Sequence, residues 1–210
     1  MSRIVYVGGF GGGEKSAATI GNALERHFED VDTFTLSDWV KDPGKVRRAA
    51  KGVALMTHSA GSLSLPTTES NYAYLLNPPL PASIGKLVGR SLVKTGRLYA
   101  SCFGAEKQHD IRSVSALSTD VRNEIVKHPI ANLSQLPNIS RFNAIDAAIA
   151  ATDAGTHTTI TWTHEDAYFQ PSEEDFEQAA QHGVLVSMLE GHHDEVILQP
   201  EAFLDKVFEV

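Results

Sequence analysis

The chain has 210 residues, 42% of them hydrophobic and 21% charged, which fits one domain with its own core and excludes a disordered or fibrous protein. Its formal net charge is −8, whereas a protein built around a phosphate backbone needs a broad basic face, so nucleic acid is excluded as the main partner. The single cysteine, Cys102, rules out an intramolecular disulfide and a cysteine-rich zinc site, and points to a reducing cytoplasm.

Met1 to Phe10 passes from one arginine through a short apolar run into glycines, with no long apolar segment and no Ala-x-Ala site, so no secretion signal is expected. Nor does any stretch approach the ~20 apolar residues of a membrane span, so a cytoplasmic protein without integral membrane association is expected. Ile4–Val7 is β-branched and aromatic and ends at Gly8; Ser16–Phe28 places Ile20, Leu24 and Phe28 at helical spacing. The reading is strand, glycine loop, helix. Asp32–Leu36 predicts a second strand, Lys45–Ala50 a short helix, and Val53–Met56 a buried strand running into Thr57-His58-Ser59-Ala60-Gly61, after which another helix should begin. Tyr72–Leu76 predicts a strand stopped by Asn77-Pro78-Pro79, because proline lacks the ladder donor.

From Leu80 to Ala151 the pattern turns helical, too long for an ordinary connection and suited to an inserted cap. Strands return at Thr158–Trp162 and Val184–Leu189 around a helix at Glu173–Gln181, and Pro200–Phe208 closes the chain as a helix. Strands alternating with helices imply right-handed crossovers and a mostly parallel sheet of about six strands with helices on both faces.

The run from Gly8 to Ser16 invites a phosphate-loop reading, but Glu14 breaks the G-x-x-x-x-G-K-S spacing and would repel phosphate. The dinucleotide form fails as well, since it would need glycine at position 14. What remains is a loop suited to presenting backbone N–H groups to an anion. Ser59 lies between an apolar strand and a helix, the setting of a nucleophile elbow, where small neighbours two positions away avoid the adjacent backbone. Gly61 meets that need and Thr57 departs from it; the plain alternative is a serine that only caps a helix. Thr163-His164-Glu165-Asp166 and Gly191-His192-His193 each follow a strand, where open parallel sheets place their chemistry.

The order Ser, Asp, His, the elbow His58-Ser59-Ala60-Gly61, the loop Gly8-Gly9-Phe10-Gly11 and the ending Gly191-x-His193 with Pro200 seven residues later resemble the α/β-hydrolase superfamily, in a small serine-hydrolase form. The resemblance spans Ile4 to Val210 apart from the helical insertion 80–151. Gly8 stands where many members have a loop histidine, and Thr57 replaces the first elbow glycine. The family's two opening strands are missing, as in a minimal version.

The resemblance implies a serine hydrolase cleaving a small-molecule carboxylic ester through an acyl-enzyme: Ser59 as nucleophile, His193 as base, Asp166 as its orienting acid, and the Phe10 and Ala60 N–H groups as oxyanion hole. Gly9 is the alternative donor to Phe10, His192 competes with His193, and Glu165 with Asp166. A thioesterase acting on an acyl carrier, or a non-catalytic ligand-binding member of the fold, is the alternative function. No cofactor is expected. No metal is expected either, because none of the nine histidines has a ligand-like spacing. His27, His109, His128, His157 and His182 read as surface or satisfied histidines, and Tyr99, Cys102 and Phe103 as core of the cap. Lys86, Arg90, Lys94 and Arg97 recur opposite Ile84, Leu87, Val88 and Leu92, read as a solvated basic face or as an attractor of anions. Acyl length, leaving group and oligomeric state leave no mark in the sequence.

Overall fold

The computed structural model describes residues 2–103 and 108–209, with Ser91, Leu92 and Val93 described by their backbone alone. Six strands, β1 (Arg3–Val7), β2 (Asp30–Phe34), β3 (Ala54–His58), β4 (Tyr72–Leu76), β5 (His157–Thr163) and β6 (Leu185–Leu189), form one wholly parallel sheet in the order β2-β1-β3-β4-β5-β6. The helices are α1 (Glu14–Leu24), α2 (Leu36–Lys41), α3 (Pro43–Ala50), α4 (Ile84–Ala100), α5 (Ile111–Lys127), α6 (Pro129–Leu133), α7 (Leu136–Arg141), α8 (Ala144–Asp153), α9 (Glu173–Gln181), α10 (Glu195–Leu198) and α11 (Pro200–Glu209), with a 3₁₀ helix at Ser59–Thr67.

Strand side chains alternate between two cores, which is why the central strands read as continuous apolar runs. Ile4, Tyr6, Ala54, Met56 and Leu76 pack with Ile20 and Leu24 of α1 and Phe203, Leu204 and Val207 of α11. Val5, Val7, Leu55, Leu75, Ile160 and Trp162 pack on the other face with Val46 of α3, Leu63 and Leu65 of the 3₁₀ helix, Ile145 and Ala148 of α8, and Ala179 of α9. Full burial of such a side chain contributes about 1.5–3 kcal/mol, so both layers hold the sheet.

Two local expectations are corrected and a third, the helix after Ser59, is met in a tighter form. The second strand lies two residues earlier than Asp32–Leu36, and Leu36 opens α2 instead, because Thr35 and Asp38 form a capping box that starts a helix there. The short helix starts at Pro43, where Asp42 caps it through the Lys45 N–H. The helix after Ser59 is 3₁₀ and contains Pro66, whose missing donor interrupts an α-helical ladder.

Between β4 and β5, helices α4 to α7 leave the sheet, whereas α8 returns to it, with Ala144, Ile145 and Ala148 buried in contact with β5 and the 3₁₀ helix. The chain passes from β1 to β2 on one side and from β3 onward to the other, so the strand order reverses between β1 and β3. That reversal opens a crevice at the carboxyl ends of two neighbouring strands. Val7 pairs with Thr57 across it, which puts the Gly8–Gly13 loop directly beside Ser59.

Candidate active site

Ser59 follows β3 with φ +52°, one of two non-glycine residues among those described in the left-handed region. That conformation costs energy and is held only where the surroundings enforce it. Here they do: a methyl group on Gly61 would lie 2.2 Å from the Val7 carbonyl oxygen, and one on Gly9 would lie 2.8 Å from Ser59 Cβ. Thr57, the departure from the elbow's usual glycine, is fully buried and shares a 2.9 Å hydrogen bond between its hydroxyl and that of Ser62.

Asp166 ends the β5 loop with 2% exposure, and its Oδ1 accepts from the Tyr168 N–H at 2.6 Å and the Phe169 N–H at 3.2 Å. Its Oδ2 lies 2.8 Å from His193 Nδ1. A carboxylate so held fixes the tautomer, leaving Nε2 as the basic nitrogen of a neutral ring. The competing pair separates from it: His192 Nδ1 meets Glu165 at 3.2 Å and His192 Nε2 meets Gln108 at 3.2 Å. Ser59, Ala60, Phe10, Gly9 and His193 line one cavity of ≈ 470 Å³, while His192 and Glu165 do not. In the glycine loop, Gly8 N donates to Phe34 O, Gly12 N to Gly9 O, Gly11 N to Asn132 and Gly13 N to Asp120; the N–H groups of Gly9 and Phe10 have no acceptor among the described residues.

Four further residues complete the site. The His193 carbonyl accepts from Asn77 Nδ2 and meets His58 Nε2, both at 2.9 Å. Asn77 is the other left-handed non-glycine residue among those described, φ +46°, and its Oδ1 accepts from Thr163 N–H at 2.8 Å, tying the ends of β4 and β5 to the loop that carries His193. Read from sequence only as a strand stop, Asn77 carried a signal in being an asparagine, the residue besides glycine that tolerates this conformation. Asp194 is buried and ion-paired with Lys94 of α4, whose Nζ lies 5.2 Å from the centre of the Tyr168 ring. Burial opposes the Asp194 charge, but Lys94, His193 and His58 around it hold its carboxyl well below the usual carboxylate range.

The basic stripe of α4 is therefore not one solvated face. Lys86 and Arg97 are exposed, but Lys94 faces the cavity and Arg90 donates to the Tyr168 carbonyl. Lys94 stands seven residues after Leu87 and four before Leu98, both buried cavity residues, and that spacing places all three on one helix face. Ile84 and Val88 of the apolar side are exposed, and the side chain of Leu92 lies outside the described residues. Cys102 packs with Leu98, Val114 and Tyr99 as expected of cap core, whereas Phe103 is 65% exposed. His109 is buried and satisfied by Ser101 and Glu195. Among the described residues, the one grouping with metal-ligand geometry is His58, His193 and Asp194, whose ligand-type atoms lie within 4.8 Å of one another. Its groups are committed already, Asp194 to Lys94 and His193 Nδ1 to Asp166.

His58 carries a pH signature. Its Nε2 must donate, since a carbonyl only accepts, and burial lowers its pKa to about 4. The folded protein thus keeps His58 neutral while the unfolded chain protonates near 6.5. The resulting stability is complete above pH 6.5, falls as pH drops through the window, and is lost by about pH 4, a difference of about 3 kcal/mol. Urea denaturation at pH 7 and pH 4 should show a larger acid loss for the wild type than for His58→Asn by about that amount. Equal losses would mean that His58 does not titrate as described.

No protein-family model matches the chain, and no curated protein matches it. Solved structures do. An enol-lactonase from Burkholderia xenovorans LB400 is similar at 15% identity and a TM-score of 0.66 over 99% of this chain and 90% of its own. A thermophilic esterase from Thermogutta terrifontis is similar at 14% and 0.66, over 100% of this chain and 89% of its own. A carboxylesterase structure from the thaumarchaeon Nitrososphaera gargenis is similar at 11% and 0.64, over 99% and 89%. The chain has the α/β-hydrolase fold. In that α/β-hydrolase frame β3 carries Ser59, the β5 loop carries Asp166 and the β6 loop carries His193, the chain order Ser, Asp, His. No helix among the described residues is long and apolar enough to cross a membrane.

Proposed function

We propose that this protein is a serine hydrolase that cleaves a small-molecule carboxylic ester through an acyl-enzyme. The observation that carries the reading is the buried 2.8 Å His193–Asp166 pair opening on the same cavity as Ser59, which is held in a left-handed conformation. Ser59 Oγ attacks the acyl carbon, and its proton passes to His193 Nε2, the nitrogen that Asp166 leaves free. The carbonyl oxygen takes the negative charge and is held by the Phe10 and Ala60 N–H groups. Collapse breaks the bond to the leaving alcohol, which takes the proton from His193. Water repeats the sequence and regenerates Ser59. Nucleophile, base and oxyanion donors all come from the chain, so the chemistry calls for no cofactor or metal.

Helices α4 to α7, in the 80–151 insertion, act as the cap. Their apolar side chains supply much of the cavity wall, including Leu87, Leu98, Leu117, Val121 and Ile139. The Lys94 charge facing the cavity is neutralised by Asp194, which favours a neutral, apolar acyl group over an anionic one. Each added CH₂ that the cavity buries contributes about 0.8 kcal/mol, so kcat/KM for p-nitrophenyl esters should rise about fourfold per carbon until the space fills. Leu87→Trp should move the optimum to shorter chains with little change for acetate. An unchanged profile with a lower Tm would make Leu87 cap core. The experiment that tests the function itself is labelling with a fluorophosphonate probe: modification confined to Ser59, abolished in Ser59→Ala, is expected. No label on the folded wild type would refute the enzyme reading. Its single free cysteine supports a reducing compartment, and so a cytoplasmic location, as part of this proposal.

A further inference from the structure

The glycine run beside Ser59 meets a carboxylate of its own chain. Asp120, on α5, accepts through Oδ2 from Gly13 N–H at 3.2 Å, Ser16 N–H at 3.0 Å and Ser16 Oγ at 2.5 Å. Gly13 is the N-cap of α1 and supplies no side-chain cap, so Asp120 satisfies that helix end from across the fold, where a phosphate would otherwise suit the donors. The glycines answer to the same contact. A methyl group on Gly13 would lie 2.7 Å from Asp120 Oδ1, and one on Gly11, whose φ is +72°, would lie 2.9 Å from Val121 Cγ1. The loop is bare so that α5 can rest on it.

A second hold comes from α6. Asn132, fully buried, accepts from Gly11 N–H at 3.2 Å. Its amide donates to Ser37 Oγ at 3.2 Å and to the His128 carbonyl at 3.1 Å, and Ser37 donates in turn to buried Glu124. Every arm of the Asn132 amide is fixed, so it holds Gly11 N in one place. Phe10 stands between Gly9, packed on Ser59, and Gly11, held by Asn132. The face of α5 formed by Leu117, Val121 and Ile125 also lines the cavity, so the helix that touches a bound ligand is the helix that clasps the loop.

We infer that Asp120 and Asn132 are positioning residues of the oxyanion hole, holding the loop that carries the Phe10 N–H from the cap side. The inference rests on the serine-hydrolase reading for its catalytic consequence and on the loop contacts for its structural one. Asp120→Ala should lower kcat about 10- to 100-fold, the scale of a displaced oxyanion donor, with KM changed less than about threefold. Asp120→Asn keeps the acceptor oxygen and should restore kcat to within about threefold of the wild type. In both proteins, hydrogen exchange of the amides in residues 9–16 gives a readout independent of catalysis: faster in Asp120→Ala, near wild type in Asp120→Asn. Asn132→Ala should loosen residues 9–12 in the same way. Unchanged exchange in Asp120→Ala would overturn the clasp itself. Faster exchange with kcat intact would overturn its role in positioning, leaving a structural cap. A wild type that neither hydrolyses esters nor takes the fluorophosphonate label refutes the hydrolase reading and with it the catalytic consequence, while the exchange data still decide the clasp.

Discussion

Replacing Ser59 or His193 by alanine is expected to lower kcat by about 10⁴- to 10⁶-fold, and Asp166→Asn by about 10⁴-fold, because triad members act as one unit. Asp166 accepts two backbone N–H groups on one oxygen and faces His193 Nδ1 with the other. An amide in its place can turn an N–H toward His193 and select the wrong tautomer, so the loss comes without a loss of fold. Circular dichroism and Tm close to wild type should accompany it. His192→Ala is the control, since His192 is engaged by Glu165 and Gln108 away from the cavity, and it should keep kcat within about threefold. Near-normal turnover in His193→Ala with an inactive His192→Ala would reverse the assignment.

Lys94→Met should destabilise the fold by about 3–5 kcal/mol, the scale of leaving one partner of a buried ion pair alone. Asp194 is 5% exposed, and Lys94 is its ion-pair partner. Methionine preserves the length of the stem, so the loss measures the orphaned charge rather than a cavity. The double variant Lys94→Met with Asp194→Asn removes both charges and should recover at least half of the loss, as buried pairs replaced together often do. Urea denaturation of the three proteins measures this directly. A single variant as stable as wild type would mean that water reaches Asp194 and solvates it.

What the sequence revealed and what it hid divide along a physical line. Short apolar runs predict the strands, and the carboxyl ends of three of them offer Ser59, Asp166 and His193 as candidates, because local pattern carries both. Leu36 was misread as strand because an apolar residue after a capping threonine looks the same in either period. The sequence leaves Lys94 on a solvated face or as an attractor of anions because a charge is usually outside, and only its partner Asp194, 100 residues away in the chain, makes the inside tolerable. Asp120 shows no local sign and Asn77 shows only its tolerance of the left-handed region, because each matters through a residue distant in sequence, Asn77 through the His193 carbonyl and Asp120 through the Gly13 amide.

Those distances also bear on how the protein is made. Strand pairings reach across at most the 85 positions from Tyr72 to His157, but the contacts that shape the Gly8–Gly13 loop join Gly11 to Asn132 and Gly13 to Asp120, 121 and 107 positions apart, and the His193 carbonyl meets His58 across 135. Loops of that length close at an entropic cost that only later contacts repay, so such pairings form late in folding. Trp162 shares its core cluster with Leu87 and Ile139 of the cap, and its strand contacts are the shorter-range part of that cluster, expected to condense first. In refolding from urea, Trp fluorescence should therefore recover ahead of esterase activity, the delay shrinking when a ligand that fills the cavity is present. Simultaneous recovery would mean that the cap and sheet condense as one cooperative unit. In the sequential case a newly folded chain passes through a compact state in which Ser59 is in place but the Gly8–Gly13 loop is not, and on the proposed hydrolase reading it acquires reactivity only when its cap is seated.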